Sequence, residues 1–137
     1  MSGRRGTATK PCSAADARVR LGSARQYLDA CDVLELAGTV SNDVVASNAI
    51  LAAIAAADAI CCATRQEHAG SGNHNDAADL LKLLNKALGE DLARILSYKN
   101  TAAYSTRGIS DAEVKTCRRV ADRLFAEAQR VLQAAPG

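Results

Sequence analysis

One carboxylate interrupts an otherwise apolar, alanine-rich run: Asp58, within ILAAIAAADAICC at residues 50–62. A buried ionised carboxylate is costly unless it is paired or hydrogen-bonded. Asp58 therefore calls for a donor from a neighbouring helix or loop. The irregular segments offer four: His74 in GNHNDAADLL, and Lys99, Asn100 and Tyr104 in SYKNTAAY. With Arg65 as an outlying member, these residues compose a pocket in which Lys99 contacts a phosphate while Tyr104 and Asp58 orient a base or sugar. A plainer reading competes with it. Asp58 is then a structural hydrogen-bonding group that fixes helix register, His74 a residue of a helix start, and the tyrosines rim packing.

Other chemistries find little support. The GSG at 70–72 is too short for a phosphate-cradling loop. There is no Ser-His-Asp arrangement with supporting context and no paired-carboxylate motif. The two histidines and five cysteines lack metal-ligand spacing, and no C-x-x-C pair occurs, so neither a metal nor a cofactor is expected. Cys31 and Cys117 fall on apolar helical stripes and read as small core residues. The odd cysteine count points to a reduced, cytoplasmic chain. The first ten residues hold Arg4, Arg5 and Lys10 and no acid, and the remainder carries fourteen basic and fifteen acidic side chains. A strongly basic nucleic-acid footprint is thus missing, although residues 94–130 have eight bases against four acids.

The elements that must position these groups are helical. Aromatics make up 3% of the chain against a hydrophobic fraction of 48%, so alanine and aliphatic residues supply the interior. Alanine favours helix and lets helix axes approach closely. Ser13 with Asp16 marks a helix start, and Ala17, Leu21, Ala24, Leu28 and Cys31 alternate steps of four and three, predicting a helix over 14–37 that stops at Gly38. A second helix opens at SND, 41–43, and runs to about Ala63 as the most buried rod. No membrane-length apolar run is expected, since Asp58 and the polar start intervene. Residues 65–75 read as a loop. A third helix carries Ala77, Leu80, Leu81, Leu84 and Leu88 and closes at Gly89. A short piece, EDLARILSY, follows, and then KNTAAYSTRG as a loop. Ser110 and Glu113 form a capping box for a last helix through Cys117, Ala121, Leu124, Ala128 and Val131. The expectation is all-α: an antiparallel up-and-down four-helix bundle with a short extra helix, one domain over 14–135 behind a disordered basic tail of residues 1–13.

The order of these features resembles the HEPN (higher eukaryotes and prokaryotes nucleotide-binding) superfamily, over roughly residues 14–134. The resemblance rests on AAIAAADAICC, the Gly-containing loop to NHNDAADLL, and LSYKNTAAY before a capped last helix. It implies an up-and-down bundle that forms a homodimer, directed at RNA or a nucleotide. It further implies a metal-independent ribonuclease-like activity and a toxin-like role beside a nucleotidyltransferase-type protein partner. The family's ribonuclease motif is an Arg followed four to six residues later by His, often with Tyr two beyond. An Arg can hold a scissile phosphate and a His can exchange the proton of a ribose 2′-hydroxyl. Here, if Tyr104 takes the family's Tyr place, Ala102 and Ser97 stand at the His and Arg places. If Lys99 takes the Arg place, Tyr104 stands five residues on. The pair itself is missing, which leaves Lys99, Tyr104, His74 and Asp58 as altered catalytic candidates and Arg65 and Asn100 as binding candidates. Two other functions are a catalytically inactive dimeric adaptor for a protein partner and an unrelated alanine-rich bundle.

Overall fold

The computed structural model describes residues 8–70, 73–104 and 106–134, with the side chains of 101–104 outside that description. Among the described residues the chain forms an all-α helical bundle with one two-stranded ribbon: β1 (Thr9–Pro11), α1 (Ala14–Ala37), α2 (Asn42–Arg65), β2 (Glu67–Ala69), α3 (His74–Leu84), α4 (Lys86–Tyr104) and α5 (Asp111–Ala134).

Local signals account for several boundaries. At α1, Ser13 Oγ accepts from the Asp16 N–H while Asp16 accepts from the Ser13 N–H. The helix ends where Gly38 adopts a left-handed φ of 73°, a conformation that disfavours other residues. Ser110 and Glu113 make the same reciprocal bonds at the start of α5. Ser41 caps α2 without a side-chain bond. The start of α2 is instead tied to that of α5: Asp43 accepts from the Ile109 N–H at 2.8 Å, and Asn42 donates to Asp111 at 2.7 Å.

The centre is α2, which packs against α1 and α5 along its length and touches α3, α4 and β2. Its buried face includes Ala46, Ala49, Ile50, Ala53, Ala56, Ala57 and Ile60. Around it close Leu28 and Cys31 of α1, Leu80 and Leu81 of α3, Leu92 and Ile95 of α4, and Cys117, Val120, Leu124 and Phe125 of α5. Dense packing of such residues means that truncating Leu92 or Leu124 to Ala should cost roughly 2–5 kcal/mol. Contrary to the sequence-based expectation, α2 is long and apolar enough to cross a membrane, but 72% of its most apolar window is buried within the bundle. Its greasiness is that of a core helix.

Three further expectations change. First, residues 9–11 are paired rather than frayed: β1 runs antiparallel to β2, with Thr9 opposite Ala69, Lys10 opposite His68 and Pro11 opposite Glu67. The ribbon also gives order to part of the expected 65–75 loop. Second, Cys12 and Cys62 form a disulfide with Cα atoms 5.4 Å apart. The expectation of a fully reduced chain fails for this pair, and with it the cysteine argument for a cytoplasmic location. Cys31, Cys61 and Cys117 stay free and buried, and burial pushes the thiol of Cys31 up to about 11 and those of Cys61 and Cys117 up to about 12.

Third, the break between α3 and α4 lies at Asn85, not at Gly89, and α4 continues through KNTAAY. Gly89 is inside a helix for a steric reason. A Cβ there would stand 2.7 Å from the Lys82 backbone nitrogen and 2.8 Å from its Cα. Only glycine permits α3 and α4 to approach so closely.

A cleft at the start of helix α3

Asp58 faces α1 and is 13% exposed. Its partner is Arg20, which the sequence reading did not consider: Nη2 donates to Oδ2 at 3.0 Å and Nε donates to the same oxygen at 3.2 Å. Arg20 lies one residue before Leu21 and three after Ala17, at the edge of the α1 stripe. That position lets a long side chain snorkel toward a neighbour. No bond to Oδ1 from a described residue accompanies these two. Burial raises the Asp58 carboxyl above its ordinary range, opposed first by the Arg20 charge and hydrogen bond and then by the fields of His68 and His74. Desolvation outweighs the ion pair.

A second wall comes from the start of α3. Asn73 caps it, its side chain accepting from the Asn75 N–H at 2.9 Å. A small cavity of about 140 Å³ is lined by Arg20, Ile54, Asp58, Ala69, Asn73, His74 and Ala77. A second, of about 220 Å³, is lined by Asn73, His74, Asn75, Leu96, Lys99 and Asn100. Asn73 and His74 line both, so the two cavities adjoin across the α3 N-terminus. The ribbon supplies the far edge through Ala69. Next to it, His68 holds Nδ1 2.9 Å from the Ala69 carbonyl, the geometry of an Nδ1–H donor.

Of the expected pocket members, Asp58 and His74 line the first cavity, and His74, Lys99 and Asn100 the second. Arg65 lines neither, and its Nε donates to Glu67 at 2.9 Å. The Tyr104 side chain lies outside the described residues. The donor that meets Asp58 comes from α1, not from the corner near residue 100, while His74 and Lys99 join the assembly through the α3 start. Asn73 was also overlooked, although an Asn three residues before Asp76 at a helix start is a capping signal.

The cleft has the composition of an anion site with a polar reader. Lys99 makes no ion pair with a described residue, Arg20 keeps its Nη1 outside the Asp58 contact, and the first N–H groups of α3 carry the positive end of the helix dipole. Asp58 supplies one fixed acceptor and His74 one titratable ring. A wider groove of about 510 Å³ along α5, lined by Glu35, Lys115, Arg118, Arg119, Asp122, Arg123 and Ala126, contrasts with it. There Arg118 is consumed by Asp32, Glu35 and Asp122, so much of the positive charge is already neutralised. Among the described residues no three His, Cys, Asp or Glu side chains gather as metal ligands. No protein-family model matches this chain, and neither a curated protein nor a solved structure shows significant similarity to it.

Proposed function

We propose that the protein is a HEPN-like nucleotide- or RNA-directed bundle whose cleft at the start of α3 holds a phosphate group and its attached ribose. The observation that carries this reading is the wall of Asn73 and His74 that the Arg20–Asp58 cavity shares with the Lys99–Asn100 cavity. Lys99 and Arg20 hold the phosphate, and the positive end of the α3 dipole favours it. Asp58 accepts from a ribose hydroxyl or a base amino group. His74 exchanges the proton of a 2′-hydroxyl, the role that the missing family histidine would have had. In a cytoplasm Cys12–Cys62 would meet a reducing pool, so both redox forms belong in the assay.

The test is binding and cleavage of a labelled single-stranded RNA, without added metal, by the wild type, Lys99→Ala and His74→Ala. The expected result is weaker binding for Lys99→Ala, and binding without cleavage for His74→Ala. RNA neither bound nor cut in either redox state would reject the reading and leave the adaptor function in its place.

A further inference from the structure

The outer face of α1 carries large apolar side chains that the monomer does not use. Val19 is 69% exposed, Val33 67% and Leu36 90%, while Ala17, Ala24, Leu28 and Cys31 on the opposite face are buried in the core. The outward positions 19, 22, 26, 29, 33 and 36 alternate steps of three and four. That is the seam of a helix pair, a second stripe on a helix already anchored by its first.

We propose that this face docks antiparallel on the same face of a second copy of the chain, about a two-fold axis between Gln26 and Asp29. The seam is self-complementary in that register. Val19 meets the partner's Leu36, Gly22 meets the partner's Val33, and Gln26 meets the partner's Asp29, an amide against a carboxylate. A two-fold interface requires such reciprocity.

Two further observations select this occupant and direction. With Arg20 turned to Asp58 and Glu35 held by Arg118, the first half of α1 still bears Arg18 and Arg25 with the single acid Asp16, whereas the second half bears Asp29 and Asp32 and no base. Antiparallel docking lays the basic half over the partner's acidic half, and on the flank Arg25 comes beside the partner's Asp32. A parallel pair would stack like charges. Arg25 and Asp32 have other contacts, Arg25 over the Phe125 ring at 4.4 Å and Asp32 to Arg118 at 2.6 Å, yet Asp32 remains 63% exposed. The other observation is Gly22. A Cβ built there meets nothing within 4 Å, so the monomer's packing gives no reason for a glycine that weakens a helix interior. Against a second α1 it is the hole that accepts the partner's Val33.

This inference rests on the exposed α1 face alone and is independent of the phosphate cleft, so the two readings fail separately. Sedimentation over a rising concentration series should show the wild type passing from monomer to dimer. Gly22→Leu and Leu36→Asp should remain monomeric with unchanged helical circular dichroism and undiminished RNA binding per chain. Register is read by mixing Val19→Cys and Leu36→Cys proteins under mild oxidation. Cross-linking should occur in the mixture and in neither protein alone, since Cys31, Cys61 and Cys117 are buried. A wild type monomeric throughout, a dimer indifferent to Gly22→Leu and Leu36→Asp, or Val19→Cys cross-linking to itself would overturn the proposal.

Discussion

Arg20 and Asp58 meet through a single oxygen: two guanidinium nitrogens, at 3.0 and 3.2 Å, converge on Oδ2 across the α1–α2 contact. The Asp58 carboxyl is nonetheless raised, because burial penalises the anion more than Arg20 relieves it. The two residues are therefore unequal in their consequences. A folded-state pKa above the unfolded one means that the native state binds the proton more tightly. Asp58 thus lowers stability as pH climbs from its ordinary value of 3.8 through the raised one, and the deficit is complete above that window. Asp58→Asn should remove this slope and lie within about 1 kcal/mol of wild type at pH 7, since Arg20 is 37% exposed and can solvate its charge. Arg20→Ala leaves the carboxylate without its partner, so it should lose about 1–2 kcal/mol at pH 7 and steepen the slope. Urea melts from pH 4 to 8 separate the three proteins. Equal losses for both variants would contradict this account of the pair.

The Cys12–Cys62 clasp closes a sequence separation of 50 residues and fastens β1 beside the cleft. Gln66, between α2 and β2, holds a left-handed φ of 58°, which costs a non-glycine residue about 1–2 kcal/mol. The Cys12 N–H to Gln66 carbonyl bond, 3.0 Å long, accompanies that turn. Chain-entropy reasoning gives the cross-link about 4 kcal/mol. Cys12→Ser should lower Tm by roughly 10 °C and release amide protection at 9–11 and 67–69 first, leaving α5 protected. Hydrogen exchange monitored by mass spectrometry reads both.

Gly89 makes a sharp steric prediction. Ala has the better helix propensity by about 1 kcal/mol, so propensity alone would have Gly89→Ala stabilise α4. Contact with the Lys82 backbone opposes it, and the expected net effect is a loss of roughly 1–3 kcal/mol. A chemical melt showing a gain would mean that α3 and α4 can separate at little cost.

If Lys99 holds a phosphate, Lys99→Ala should weaken single-stranded RNA binding at every sequence tested and reduce the log–log salt slope by about 0.7, the value for one lost contact. Lys115→Ala, on the α5 groove, should change neither by a comparable amount. Fluorescence anisotropy at several salt concentrations checks both.

Local signals made parts of the fold readable from the chain. Ser13 with Asp16 and Ser110 with Glu113 announce helix starts because their bonds span only three residues, and the apolar stripes of α1 and α5 follow from period alone. The stop at Gly89 was misread because glycine can end a helix or admit a neighbouring one, and only the position of Lys82 decides which. Asp58 was legible as a group in need of a partner. Arg20 was not, since its partnership spans 38 residues and depends on how α1 turns against α2. Cys12–Cys62 was hidden for a similar reason: with five cysteines the pairing depends on β1 folding back onto β2. His74, Lys99 and Asn100 stand out by residue type, and it is the start of α3 that gives their cavity a wall in common with that of Asp58.

The phosphate cleft is tested most directly by a backbone and arginine side-chain NMR titration with a nucleoside monophosphate, followed in the oxidised protein. Shifts should concentrate at Asn73, His74, Asn75 and the Arg20 Nε–H, saturate together, and weaken in Lys99→Ala. A spectrum unchanged by the nucleotide, or shifts confined to Lys115, Arg119 and Arg123 on α5, would contradict the account.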